Sequence, residues 1–537
     1  MGSGVIFRGQ FTSRHGRAPS SNNDSRPHFR RVLAGAAAGI WLVWAAADYA
    51  QVRTSLPVLL SEVAPPAIDR GLRDADPPRA PRADGSSPLR ELDEPFLRGS
   101  LIVKFRPGTQ TDTRRALLAQ VDSTGGAPVS YAPFEVVAID PAADPEEAAR
   151  RLDVQPDVEY AQARYRVYPR FVPNDPLYSR QWNYPALDME RAWDINQGAT
   201  PAITVAVLDS GVAYRAAFVR YTAQAFRLSP GGPIFRPLGP VDIPFAPAPE
   251  LGGPERFVSP RDFIWGTAMP LDLDGHGTHV SGTIGQLTNN GIGVAGMAFN
   301  VRIMPVKVIA GDWDLIFGSP SVGTDDVVAR GIRYAVDNGA NVLNLSIGRL
   351  GPPAPALRDA MTYAVSRGAF VAVAAGNDAE TGNRVERLAE FAPEIEGVVA
   401  VGGIGRDRQR AFYSNTGSYV EVVAPGGDSR VGGTEGAILQ QTFDFDLVET
   451  YFRGPAQYRA PRFDAFTFEF LQGTSMATPH VAGFAALLIQ QGITAPAAIE
   501  AAMKRYATDL GRSGRDDEYG HGLINPRATL RGLGLAR

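Results

Sequence analysis

The chain has 537 residues, 44% of them hydrophobic, a formal net charge of −4 and no cysteine. That length exceeds one domain, at ~150 residues each, and can bury a large core. The charge gives no electrostatic case for a nucleic-acid partner, and the missing cysteine excludes disulfides, thiolate zinc sites and thiol catalysis.

Residues 1–31 are polar and basic and read as disordered. Arg30 and Arg31 then precede an apolar run, 32–47, that ends in small residues. This pattern predicts an export signal within 1–50, either cleaved or retained as a membrane tether over 32–47. Residues 51–94 are rich in Pro, Arg, Asp and Ala without periodicity, a disordered linker. Order is expected over 95–170 as a small α+β unit: strands at 100–105, 134–139 and 158–167, helices around 114–121 and 145–152.

From 171 to 537 apolar strand patterns alternate with helical ones. Strands are expected at 301–308, 341–347 and 370–375, and helices at 325–338 and 356–367, which predicts a mostly parallel sheet with helices on both faces. Val328, Ile332 and Val336 form a core-facing stripe, and Gly339 is the stop. Two stretches, 214–262 and 428–471, are long for loops and rich in aromatics. They read as packed insertions beside a cleft, shaping substrate choice or offering a partner surface.

The segments that carry chemistry lie in this larger unit. Ile203 to Leu208 is a continuous apolar strand pattern with Asp209 at its C-terminal end, where open α/β sheets place ligands. Asp274-Gly275-His276-Gly277-Thr278-His279 opens a helix. Phe370 to Ala375 ends in Gly376-Asn377, and Gly473-Thr474-Ser475-Met476 begins a small, apolar helix whose dipole favours negative charge near Ser475. Pro479 is expected in that helix's first turn. Taken singly, Asp209 and Asn377 read equally as turn residues, Ser475 as an N-cap, and His276 with His279 as metal ligands. In combination they supply a hydroxyl nucleophile, a base titrating near neutrality and a carboxylate to orient it.

Together these segments resemble the subtilisin-like serine proteases (subtilases), whose triad follows the chain order Asp, His, Ser. The resemblance implies that Asp209 orients the imidazole, His276 is the general base and Ser475 the nucleophile. It further implies that Asn377 and the Ser475 N–H bind the oxyanion, and that Ser346-Ile347-Gly348 is a substrate-binding edge. Residues 95–170, with Asp157-Val158-Glu159-Tyr160 near their end, resemble the family's ferredoxin-like inhibitory propeptide. Asn174-Asp175-Pro176-Leu177-Tyr178 and Gln181-Trp182 resemble the start of the mature enzyme, which places processing within 165–174. The Thr288–Val294 loop resembles a calcium loop. The implied Ca²⁺ ligands are Gln181, Glu250, Thr288, Asn290, Ile292 and Val294.

The expectation is therefore an exported, autoprocessed serine endopeptidase acting on proteins or peptides, with its own propeptide as intramolecular inhibitor. A catalytically silent binding module and a membrane-tethered processing protease of narrow specificity are the alternatives. Residues 378–393 depart from the family pattern, so the floor of the specificity pocket is not assigned by the resemblance.

Overall fold

The computed structural model describes residues 96–123, 125–165, 171–226, 234–449 and 459–532. The expected export signal, tether and linker (1–94) lie outside them. The chain divides into two compact units between Pro169 and Arg170.

The smaller unit contains β1 (Phe96–Phe105), α1 (Thr111–Ala119), β2 (Gly126–Pro128), β3 (Glu135–Ala138), α2 (Pro145–Asp153) and β4 (Val158–Tyr165). Its sheet is antiparallel in the order β2-β3-β1-β4. Helix α2 starts where the sequence dictates: the Asp144 carboxylate accepts from the Glu146 and Glu147 N–H groups, and Pro145 needs no acceptor. Leu101, Val103, Leu118, Val137 and Leu152 fill the core between sheet and helices.

The larger unit opens with the short helices α3 (Asn183–Ala186) and α4 (Met189–Trp193). There follow β5 (Thr204–Asp209), a hairpin of β6 (Ala217–Ala223) and β7 (Leu238–Phe245), β8 (Arg261–Asp262), α5 (His276–Gly285) and β9 (Arg302–Lys307). Next come α6 (Asp312–Ile316), α7 (Asp325–Asp337), β10 (Val342–Leu345), α8 (Pro355–Ser366), β11 (Phe370–Ala374), β12 (Val398–Ile404) and β13 (Val422–Pro425). The unit closes with β14 (Ile438–Phe443), α9 (Phe445–Val448), β15 (Phe466–Leu471), α10 (Thr474–Gln490), α11 (Pro496–Tyr506) and α12 (Pro526–Gly532).

Seven strands form one parallel sheet, ordered β13-β12-β11-β10-β5-β9-β8. Successive strand residues feed two different cores. Val205 and Val207 pack with Val280 of α5 and Val481 of α10, whereas Ala206 and Leu208 pack with Ile332 of α7 and Leu357 of α8. Burial on both faces is why these strands read as unbroken apolar runs. The chain leaves β5 toward β8 and β9 on one side and later returns to place β10 on the other. That reversal makes the C-terminal ends of β5 and β10 a topological switch point, where doubly wound sheets bind ligands.

The two aromatic-rich insertions pack against each other. β6–β7 and β14–β15 are antiparallel hairpins. The Phe463 N–H donates to Pro244 O (3.1 Å), and the Phe245 and Phe463 rings stack at 5.2 Å. Strand β14 also abuts the start of α5, where Thr442 Oγ1 donates to Gly275 O (2.7 Å).

One expectation is narrowed and one corrected. Strand β10 itself is paired on both sides, to β5 and β11. The backbone free for a partner begins only after Leu345, where that pairing ends, at Ser346-Ile347-Gly348. Pro479 is not in the first turn of α10, which starts at Thr474. Its missing N–H would have bonded Ser475 O, and the Ser346 hydroxyl donates to that carbonyl instead (2.7 Å).

Candidate active site

Asp209 ends β5, and His276 is the first residue of α5. The helix must approach the strand closely for the two to meet, and Gly277 permits it. A Cβ there would lie 2.1 Å from Gly211 O. The His276 Nδ1–H donates to Asp209 Oδ1 (2.8 Å), which also accepts from the Ser210 N–H (2.7 Å). Asp209 is fully buried, and its Oδ2 has no hydrogen-bond partner. Its charge therefore acts at close range and with little screening on His276. Burial alone would lower the imidazole pKa. The charge and hydrogen bond of Asp209, with the nearby Asp274 and Asp272 carboxylates, outweigh it and raise the value from 6.5 to about 9.

The loop carrying His276 is fixed by a residue the motif reading passed over. Buried Asp272 accepts on Oδ1 from Ser210 Oγ and the N–H groups of Asp274 and Gly275, and on Oδ2 from the Thr278 N–H and hydroxyl. The sequence signal was available as the acid two residues before Asp274. Histidines 279 and 480 play different parts. The His279 Nε2–H lies 3.1 Å from both Ile438 O and Glu469 O, and burial pushes its pKa down to about 3. His480 accepts from Asn183 Nδ2 (2.8 Å) and donates to Met476 O (2.9 Å). Both are buried packing groups, and His279 shares no ligand set with His276.

Ser475 sits in the first turn of α10, whose N–H groups have no acceptor within the helix. Its hydroxyl donates to Ser346 O (3.1 Å), while Ser346 Oγ donates to Ser475 O, so the serine and the strand extension are clamped reciprocally. In this state the hydroxyl points to that carbonyl and makes no hydrogen bond to His276. Asn377 follows Gly376, where the φ of +103° and the 2.4 Å at which an added Cβ would meet Asn415 Nδ2 favour glycine. Asn377 Oδ1 accepts from the Thr474 N–H and hydroxyl (2.9 Å each), which fixes the amide orientation and leaves Nδ2 without a partner among the described residues. Ser346 and Ile347 are buried, while Gly348 is exposed beside the same crevice.

The residues expected at a calcium site separate into two groups. Asn290 Nδ2 donates to Glu250 Oε2 (2.9 Å), and the loop N–H groups of Asn289 and Asn290 donate to Asp175 (2.7 and 3.1 Å). Glu250 and Asp175 are both buried, and burial together with the Asp175 charge raises the Glu250 pKa. Gln181 is the correction. Its Nε2 donates to Ala295 O and Leu439 O and its Oε1 accepts from the Ala295 N–H, so the amide is fully engaged away from this pair. Asp175 is the acid that faces the loop, a role that the motif around it does not signal. Two buried carboxylates close enough to repel, beside a carbonyl-rich loop, fit a hard cation.

A buried carboxylate–imidazole pair at the end of β5 and a helix-terminal serine at the start of α10 are the parts that a serine hydrolase needs. Comparison gives the family. Residues 200–522 match the subtilase family, and residues 90–163 match the fervidolysin N-terminal prodomain. The chain belongs to the subtilase family and is a subtilisin-like serine endopeptidase with an N-terminal prodomain. It is 29% identical to the thermophilic serine proteinase of Bacillus sp. (strain AK1), over 79% of this chain and 86% of that one. It is 30% identical to thermitase of Thermoactinomyces vulgaris, over 66% of this chain and 98% of that one. A solved protease structure from Pseudoalteromonas arctica superposes with a TM-score of 0.51 at 27% identity, covering 67% of this chain and 99% of that one.

Proposed function

We propose that the chain hydrolyses peptide bonds through an acyl-enzyme on Ser475. His276 takes the Ser475 proton through Nε2 as Oγ attacks the scissile carbonyl, and then gives it to the leaving amine. Asp209 holds the proton-bearing Nδ1 toward itself and stabilises the imidazolium. Asn377 Nδ2 and the Ser475 N–H receive the oxyanion, and the Ser346–Gly348 backbone pairs with the extended peptide. The observation that carries this reading is the 2.8 Å Asp209–His276 contact beside unengaged donors at Asn377 and Ser475. For attack, the Ser475 hydroxyl turns from Ser346 O toward His276, a rotation about one side-chain bond.

The prodomain is read as an inhibitor removed by self-cleavage within 165–174, and the apolar run 32–47 as an export signal. Glu250, Asp175, Asn290 and the carbonyls of Thr288, Ile292 and Val294 would hold Ca²⁺. When bound, the ion neutralises the two buried carboxylates and fastens the mature N-terminal segment to the loop.

Expressing the full chain beside Ser475→Ala tests the function, with intact-mass analysis and casein hydrolysis as readouts. A shortened, active wild type with a full-length, inactive variant is expected. A Ser475→Ala protein that still matures and cleaves casein would overturn the assignment.

A further inference from the structure

Strands β10 and β11 continue past their pairing as Ser346–Gly348 and Ala375–Asn377. On the protease reading above, a peptide whose carbonyl lies between Ser475 and Asn377 and whose backbone runs along Gly348 would direct the side chain of the residue preceding the scissile bond into the gap between these segments. Glu386 borders both. Its Cβ would be 3.3 Å from a Cβ built on Gly376, and its Oε2 would be 2.7 Å from one built on Gly348. The carboxylate head therefore lies directly against the backbone along which the peptide is read.

Glu386 is buried (3% exposed), and its two oxygens are treated differently. Oε1 is anchored by the N–H groups of Arg349 and Leu388, which set the side chain's direction. Oε2 makes no hydrogen bond of ordinary geometry among the described residues, although the Arg387 N–H also lies near enough to the carboxyl group to favour its charged form. Among the described residues no ion pair to Glu386 is seen, and the neighbouring arginines pair with other acids. Arg349 makes a two-point contact with Asp325 (3.0 and 2.8 Å), Arg384 pairs with Asp378 (2.9 Å), and Arg387 pairs with Glu390 (2.5 Å). Burial, reinforced by the Asp378 charge, holds the Glu386 pKa up at about 8 against the pull of its backbone donors. A cation delivered into the gap relieves that cost.

We propose that Glu386 is the specificity-determining residue of the cleft and selects lysine or arginine immediately before the scissile bond. The proposal rests on the protease reading above. Lysine and arginine fit because each carries a cation that can pair with Oε2 on an apolar stem that packs beside Gly348. The stretch in which maturation is expected, 165–174, carries two such residues, Arg166 and Arg170.

The test is kcat/KM for matched peptide p-nitroanilides ending in Lys, Arg, Leu or Phe, using the matured full-chain protein and Glu386→Gln. Glutamine keeps the acceptor for Arg349 and Leu388 and removes only the charge. Wild type is expected to favour the basic substrates by about 10- to 100-fold. The variant should lose that advantage while Leu and Phe turnover stays within about threefold, because a pairing interaction is selective in what it removes. Fluorophosphonate labelling of both proteins reports an intact triad independently. In wild type, benzamidine should inhibit and neutral benzamide should not, which keeps the proposal testable if the variant does not fold. Turnover without basic preference, equal inhibition by benzamidine and benzamide, or an equal loss on all four substrates would overturn the role of Glu386. No labelling and no turnover at all would instead overturn the protease reading on which it rests.

Discussion

The two walls of the crevice handle their polar groups in opposite ways. On the histidine wall the carboxylates are tied inward or sealed off: both Asp272 oxygens accept protein donors, Asp209 Oδ1 accepts from His276 and the Ser210 N–H, and its unpartnered Oδ2 is fully buried. On the wall built by β10, β11 and the start of α10, key groups are left open. Asn377 uses its oxygen and keeps its nitrogen free, while Glu386 anchors one oxygen and keeps the other. The first arrangement fixes the geometry of proton transfer. The second leaves donors and acceptors for a substrate to complete.

The largest effect expected from breaking the open wall is at the oxyanion position. Asn377→Ala should lower kcat by about 10²–10³-fold with little change in KM, a magnitude known from subtilisin itself. Steady-state kinetics on any one peptide substrate measure it, and a change confined to KM would assign Asn377 to ground-state binding.

Stability should separate the walls next. Asp272→Asn strands buried N–H and hydroxyl donors and should cost about 3 kcal/mol or more, lowering Tm by roughly 5–10 °C. Glu386→Gln should change stability by less than about 1 kcal/mol, since its anchoring bonds survive. Thermal melts of both variants on a Ser475→Ala background, which prevents self-digestion, check this; equal losses would erase the distinction.

How much of this was legible in the sequence divides along the same line. Asp209, His276, Asn377 and Ser475 sit in local motifs whose glycines and apolar runs betray their backbone surroundings, so the motifs and the family resemblance they carry were enough to propose them. What failed depended on partners remote in sequence. The Ser346 hydroxyl that replaces the N–H missing at Pro479 is 129 residues from the carbonyl it serves. The engagement of Gln181 by Ala295, and the approach of Asp175 to the loop, likewise arise only on folding. Glu386 lay in an irregular stretch with no periodicity to place it under Gly348. The insertions were foreseen as packed, but their mutual docking through Phe245 and Phe463 carries no local signal.

The histidine wall makes a pH prediction. The base must be neutral to act, so with its pKa raised to about 9, kcat/KM should climb through the alkaline range and level only above about pH 9. The same raised pKa contributes stability that is full below pH 6.5 and lost as pH rises through about 9. Asp274→Asn removes one of the charges holding the proton and should move the rise in rate to lower pH. A profile already flat at pH 7 in wild type would contradict the coupling.

The last expected effect lies away from the crevice. Chelation by EDTA should lower Tm by roughly 5–10 °C if Ca²⁺ is held at about a hundredfold its Kd. Asp175→Asn should abolish most of that sensitivity, whereas Gln181→Ala should leave it; the reverse pattern would restore Gln181 as the ligand.

The most direct single measurement is fluorophosphonate labelling of the matured protein across pH, with the modified residue mapped by peptide mass spectrometry. The account predicts one adduct, on Ser475, forming faster as pH rises toward about 9 and slowed strongly by Asp209→Asn. An adduct elsewhere, or a rate on Ser475 indifferent to pH and to Asp209, would contradict the assignment of the crevice as the catalytic centre.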